Sequence, residues 1–238
     1  MATAERSRRS QLRKFEARQL LYAHVATRRR RDQVLWSLGA VVAVVASSLS
    51  LFAYTAVGPG APATVPDQAL SENRAWSGQM DFGDVSLDIT LDGGAAPQAV
   101  ANFVSLIDGG FYEGLTCHRL TTEEFLVMQC GDPLGLGLGG PGYVFGPVEN
   151  DPADGFYPAG TLAMARATND GQTMGSQFFI VYEDSTIPND AAGGYTVMGR
   201  ITSGLDQFID AYVTPGTANE SVDGPPLVTP VLETITIR

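Results

Sequence analysis

Apolar and polar positions change rhythm several times along this 238-residue chain, and each change marks an element. Residues 34–57, VLWSLGAVVAVVASSLSLFAYTAV, contain no charged side chain. As a helix rising ~1.5 Å per residue, such a run crosses a hydrocarbon layer ~30 Å thick. Further on, Val85, Leu87, Ile89 and Leu91 alternate with Ser86, Asp88 and Thr90, which is the period of a half-buried strand. After Pro97 the spacing lengthens: Val100, Phe103, Val104 and Ile107 fall at i, i+3, i+4 and i+7, predicting a helix that Gly109 and Gly110 end. A second helix is expected from a Ser203 cap, with Leu205, Phe208, Ile209 and Tyr212 on one stripe. Apolar runs at 161–165, 178–181, 196–201 and 231–237 read as strands. Many short strands, Gly and Pro turns and two helices predict a mainly β domain closed into a barrel, because closure removes exposed strand edges.

Charge divides the chain in the same place. Ten of the fifteen Lys and Arg residues precede position 34, whereas twenty-three of the twenty-six Asp and Glu residues follow it. The arginines at 28–31 stand immediately before the apolar run, and Trp36 and Tyr54 suit interfacial positions near its ends. Four segments follow: a basic cytoplasmic tail (1–33), a transmembrane helix (34–57), a flexible linker rich in Pro, Ala and Gly (58–74) and a folded domain (75–238). The topology expected is a single pass through the cytoplasmic membrane, with the N-terminus inside and the domain outside. A cleaved signal peptide has a similar make-up, but this apolar run is longer than the usual h-region, which favours an uncleaved anchor. Only five arginines lie beyond the span, so the domain is not expected to bind nucleic acid.

The most distinctive chemistry lies in CHRLTTEEFLVMQCGD, residues 117–132. Strands at 116–120 and 126–129 joined by a polar loop make a hairpin, on which Arg119 and Gln129 share a face if the register allows. A guanidinium and a carboxamide beside apolar surface suit a neutral amide ligand. Cys117 and Cys130 are the only cysteines. Strand parity puts Cys117 on the face of Arg119 and Cys130 opposite Gln129, which predicts two free thiols unless the hairpin is bulged. The glycine-rich 131–146 segment lacks the GK[ST] ending of a phosphate loop. His118 is the only histidine beyond the span, so neither a zinc site nor a histidine triad can be assembled there, and no cofactor is expected. Asp132 and Glu149 read as turn or surface residues.

Six segments in order resemble the cyclophilin family of peptidyl-prolyl cis-trans isomerases: APQAVANFVSLIDGGFYEGLTCHRL, VMQCGDP, GLGGPGYVF, GTLAMARA, GSQFFIVY and YTVMGRI. The resemblance implies an eight-stranded antiparallel closed barrel capped by two helices, with a peptide groove on its wall. It places the catalytic arginine at Arg119 and the groove glutamine at Gln129, with His118 beside them. Peptide-pairing backbone falls at Ala165, Arg166 and Ala167, a second groove glutamine at Gln177 and the pocket phenylalanine at Phe179. Departures from the pattern surround the pocket. Phe125 or Leu126 stands at its first position, with counting from Gln129 favouring Leu126; Val127 replaces Met, Pro188 replaces Leu and Tyr195 replaces His.

Prolyl isomerisation has to cross a barrier of ~18–20 kcal/mol without breaking a covalent bond. At the twisted transition state the proline nitrogen gains a lone pair that the planar amide lacks, so a fixed donor at Arg119 binds that state selectively. Phe179, Leu126, Val127 and Tyr195 would enclose the ring, and Gln129 would hold a carbonyl. The expected function is isomerisation of X-Pro bonds in exported or unfolded polypeptides by a monomer; the alternative is a catalytically weak scaffold that binds proline-containing peptides.

Overall fold

The computed structural model describes residues 2–56 and 63–238, with side chains of the first helix described at 18, 22, 28–31 and 33–56. The chain divides into two units, Met1–Pro62 and Ala63–Arg238. The first unit is one helix, α1 (Ala2–Ala56), whose stretch Arg28–Ala56 is long and apolar enough to cross a membrane. A signal sequence has the same make-up, and the expected last residue of the span, Val57, lies outside the described residues.

The second unit begins earlier than the linker expectation of 58–74. From residue 63 onward that stretch is described, and much of it packs against the domain. Asp67 caps the 3-10 turn Gln68–Ser71 through the Ala69 amide, and the Pro66 carbonyl accepts from Gln98 Nε2. Ser71 is fully buried, its carbonyl accepting from Trp76 Nε1. These bonds join the Asp67 side chain and the backbone carbonyls of Pro66 and Ser71, in a stretch whose composition otherwise reads as coil, to partners that include Gln98 and Trp76 outside it.

Its strands are β1 (Ala75–Phe82), β2 (Val85–Asp92), β3 (Leu115–Thr116), β4 (Arg119–Thr121), β5 (Val127–Cys130), β6 (Phe156–Tyr157), β7 (Thr161–Met164), β8 (Phe178–Val181), β9 (Ser185–Thr186), β10 (Val197–Ser203), β11 (Asp223–Gly224), β12 (Val231–Leu232) and β13 (Thr234–Ile237). Helix α2 (Pro97–Asp108) buries Ala99, Val100, Phe103, Val104 and Leu106, and its first amides are capped across the fold by Glu149, whose carboxylate accepts from Gln98 and Ala99. Glu149 is therefore a helix cap rather than a surface residue. The second helix, α3 (Leu205–Phe208), continues as a π-turn, Ile209–Val213, and its cap is Gly204 in the left-handed region, not Ser203, which ends β10.

The main sheet has nine strands in the order β11-β4-β5-β8-β7-β10-β2-β1-β13. It is open. The expectation of a closed eight-stranded barrel fails because the edge strands β11 and β13 do not pair, and β3 and β12 form a separate two-residue ribbon rather than extending β4 and β13 into a shared ladder. Two local features keep the ladder from running through. Proline at 230 has no amide to offer, only the carbonyl that takes the Cys117 amide. On the other side, the chain bulges between β3 and β4: the register pairs Arg119 with Gln129, yet the His118 amide also donates to the Gln129 carbonyl at 3.0 Å. Two residues thus face one.

That bulge also overturns the free-thiol expectation. The extra residue reverses strand parity before Arg119, so Cys117 turns into the core with Cys130, and the two form a disulfide.

Candidate active site

The central strands carry apolar side chains on both faces, and this builds the site. On β5, β7 and β8 the residues Met128, Cys130, Leu162, Met164, Phe178 and Ile180 enter the main core. Their neighbours Val127, Ala163, Phe179 and Val181 point the other way and gather with Tyr157 and Ile187 in a second, smaller cluster. Register aligns the outward residues across the sheet: Arg119 faces Gln129, Gln129 faces Phe179, Phe179 faces Ala163 and Ala163 faces Val197. With strands ~4.8 Å apart, the guanidinium-bearing residue starts two strands from the phenylalanine.

Arg119 is held from behind. Its Nε and Nη2 donate to the two Asp223 oxygens at 2.7 Å each, and its Nη1 donates to Gln129 Oε1 at 3.2 Å. A guanidinium has five N–H groups, so one on each terminal nitrogen is left unengaged. The side chain is 36% exposed, open to a ligand. The bond to Asp223 is the largest influence on this guanidinium and raises its pKa, while the same bond holds the Asp223 carboxyl below its usual range. Gln129 Nε2 donates to Gln177 Oε1 at 2.7 Å, and Gln177 Nε2 to the Gly139 carbonyl at 2.9 Å. Asp223, Arg119, Gln129 and Gln177 therefore form one continuous network.

The apolar niche differs from the sequence expectation at two positions. Leu126 packs against the main core, while Phe125 joins Val127, Phe179 and Tyr195. Alternation explains it: with Val127 facing outward, Leu126 must face inward and Phe125 outward again. Phe125 also lies beneath Arg119, 5.9 Å from ring centroid to guanidinium carbon. Pro188 is exposed and its neighbour Ile187 fills the niche instead. Tyr195 meets Phe179 edge to face at 5.3 Å, and its amide donates to the Tyr157 hydroxyl.

Beside the niche runs a groove of about 720 Å³ lined by Gln129, Gln177, Leu138 and residues 165–167. The Ala165 amide is taken by the Gln177 carbonyl and the Ala167 amide by the Thr173 hydroxyl, which leaves less backbone for peptide pairing than the resemblance implies. The Arg166 side chain is 1% exposed and belongs to the scaffold: it forms a bidentate pair with Asp190 at 2.9 Å and donates to the Gly193 and Gly194 carbonyls. Its charge also lies 4.6 Å from the Tyr195 ring, which braces one wall of the niche.

His118 lies behind the arginine, with both ring nitrogens buried and unpartnered and Nε2 3.5 Å from where a β-carbon on Gly137 would stand. Burial lowers its pKa, against a smaller upward pull from Asp132. Asp132 is not a surface residue. Burial alone would raise its carboxyl, but the amides of Leu134, Leu136, Gly137 and Leu138 together hold it below the usual carboxylate range. Among the described residues no cluster of side chains suits a metal ion.

Sequence reasoning missed Asp223, Tyr157 and Ile187. Asp223 is 104 positions from its partner in a two-residue strand, and no local pattern signals it. Tyr157 and Ile187 come from loops that only the fold brings to the sheet.

Comparison with known proteins bears on the family and the fold. The family model for "Cyclophilin type peptidyl-prolyl cis-trans isomerase/CLD" matches residues 79–228. The chain is similar to a probable peptidyl-prolyl cis-trans isomerase B of Mycobacterium tuberculosis, 42% identical over 154 residues covering 59% of this chain and 47% of the relative. Isomerase B of Bacillus subtilis is 47% identical over 112 residues, covering 47% of this chain and 73% of the relative. The chain thus spans about half the length of the mycobacterial relative it matches. A crystal structure of a cyclophilin type isomerase from Cryptosporidium parvum superposes with a TM-score of 0.55 at 23% identity, covering 69% of this chain and 97% of that one, which speaks to the fold. The same protein in the presence of the dipeptide Ala-Pro gives a TM-score of 0.55 at 25% identity, covering 69% of this chain and 99% of that one. A sheet that lines up Arg119, Gln129 and Phe179 beside an apolar niche, and a family model that spans those strands, lead to one conclusion: the chain belongs to the cyclophilin-type peptidyl-prolyl cis-trans isomerase family.

Proposed function

We propose that the domain accelerates rotation about X-Pro bonds in unfolded or exported polypeptides. The observation that carries this reading is the in-register row of Arg119, Gln129 and Phe179, with two guanidinium N–H groups unengaged next to an apolar niche. Proline's ring packs against Phe179, Val127, Phe125 and Tyr195, and the peptide runs into the groove along residues 165–167. Gln129, its carbonyl oxygen taken by Arg119, retains a second amide hydrogen for a substrate carbonyl. As the imide twists, the nitrogen becomes pyramidal and an Arg119 N–H meets the lone pair; the planar ground state offers no such acceptor, so the bond lowers the barrier rather than merely tightening binding. The donor is needed in one place, which the ion pair with Asp223 favours, and in the charged state that a guanidinium always holds.

A relative crystallised in the presence of Ala-Pro supports a proline-containing ligand. The apolar run at 34–57, read as an anchor, and the basic tail before it support a domain outside the cytoplasmic membrane with the N-terminus inside. The alternative, a scaffold that holds proline segments with little turnover, draws on the changed niche: Pro188 is exposed and Asp223 occupies two of the five guanidinium N–H groups. Exchange rates of an X-Pro peptide, measured by NMR with the wild-type chain and with Arg119→Ala, decide between them. A loss of ~10²-fold or more in the variant supports the enzyme. Equal rates near background leave only the scaffold.

A further inference from the structure

Three leucines in the glycine-rich segment face solvent although the loop that bears them is firmly built. Leu134, Leu136 and Leu138 are 65%, 73% and 84% exposed. The amides of Leu134, Leu136, Gly137 and Leu138 all donate to the buried Asp132 carboxylate. One inward charge thus fixes the backbone, and the alternation Leu-Gly-Leu-Gly-Leu displays its side chains outward. Residues 133–148 contain no charged side chain.

The same charge-free segment, at Gly142, lies where the chain enters the domain. The Ala63 β-carbon is 3.1 Å from where a β-carbon on Gly142 would stand. Only residues 57–62 separate Ala63 from the end of the apolar helix at Ala56. Seven residue steps span at most ~25 Å, a bound set by covalent geometry alone.

We propose that the loop bearing Leu134, Leu136 and Leu138 rests in the headgroup and upper acyl region of a lipid bilayer, which keeps the peptide groove, whose rim Leu138 also forms, at the membrane surface. The inference rests on reading residues 34–57 as an uncleaved anchor. Lipid fits this loop for two reasons. The tether holds a bilayer within reach at all times. The loop amides already have their acceptor in Asp132, so the leucines enter an apolar phase without carrying bare N–H groups with them. A segment without charged side chains in an otherwise acidic domain favours zwitterionic over anionic headgroups.

The test uses the full chain in phosphatidylcholine vesicles, with a nitroxide on Leu136→Cys or, as the solvent control, on the exposed Glu220→Cys; the native cysteines are paired and do not react. The ratio of collisions with oxygen to those with a water-soluble nickel chelate should be about tenfold higher at 136 than at 220, and should fall to the control value when Leu134→Asp and Leu138→Asp are added. Equal ratios at both positions, in a chain that resists alkaline extraction, overturn the loop proposal and leave the anchor intact. Spin–spin broadening assigns the loop to a second copy, and shielding from both reagents only upon adding an unfolded proline-rich polypeptide assigns it to clients; either overturns the lipid. Release of the chain at alkaline pH rejects the anchor itself, and the loop proposal with it.

Discussion

At the scale of single residues, the decisive feature is that Arg119 is positioned by a carboxylate rather than left to sample solvent. Asp223 grips two of its three nitrogens at 2.7 Å, so the unengaged N–H groups point where the fork dictates. If this positioning supports turnover, Asp223→Ala lowers kcat/KM by about tenfold, mostly in kcat, while Asp223→Asn recovers part of it because one oxygen still accepts; unchanged kcat in both variants would show the pair to be ornamental to catalysis. His118 supplies a second prediction. Burial is the main reason its pKa is lowered, so the folded state prefers neutral imidazole. Stability is complete above the unfolded value of about 6.5 and declines as pH falls from there toward the lower folded value, because only the unfolded chain takes up the proton. Denaturant titrations at pH 7.5 and 5.5 should show that decline in the wild type and a smaller one in His118→Gln.

Among the elements, the β4–β5 hairpin joins site and core. Cys117 and Cys130 bracket Arg119 and Gln129 in sequence, and the disulfide closes a loop with a separation of 13 residues. Loop-closure entropy for that length is worth about 3 kcal/mol, so Cys117→Ala/Cys130→Ala should lower the unfolding free energy by roughly that amount. Chemical denaturation of the oxidised wild type against the double variant measures it. The glycine loop makes a similar point. Gly131 has φ +85°, and a β-carbon there would stand 2.5 Å from the Ser176 carbonyl, so the turn that aims Asp132 inward requires glycine. Removing the Asp132 carboxylate orphans four amides, and Asp132→Ala should cost about 3 kcal/mol in the same denaturation experiment. Hydrogen exchange should localise the loss to residues 133–138.

On the scale of the whole molecule, the chain joins a long helix, basic at its start, to an acidic β domain with a main core and a smaller apolar cluster around an open sheet. The two edge strands are short, β11 with two residues and β13 with four, so neither offers a long bare edge to other chains. In intact cells, externally added protease should degrade the domain if the basic tail fixes topology as proposed; a domain protected until lysis would reverse the orientation.

Much of this was legible in the sequence because periodicity is local. Alternation in β2, helical spacing after Pro97 and the uncharged 34–57 run each depend on neighbours a few positions apart, and the structure contains the strand, helix and apolar helix they announce. Arg119 and Gln129 were also readable as one-face partners, since a short hairpin leaves few registers. What escaped depends on a single inserted residue or on distant contacts. One bulge reversed parity and turned two expected thiols into a disulfide, and simple alternation from Val127 exchanged Leu126 for Phe125. The clamp on Arg119 from Asp223, the cap on α2 from Glu149 and the open seam arise between segments tens of residues apart. Sequence alone determined which residues want water and which do not, and hence the elements; only tertiary structure decided which side chains meet, because that requires the chain to bring distant positions within hydrogen-bonding range.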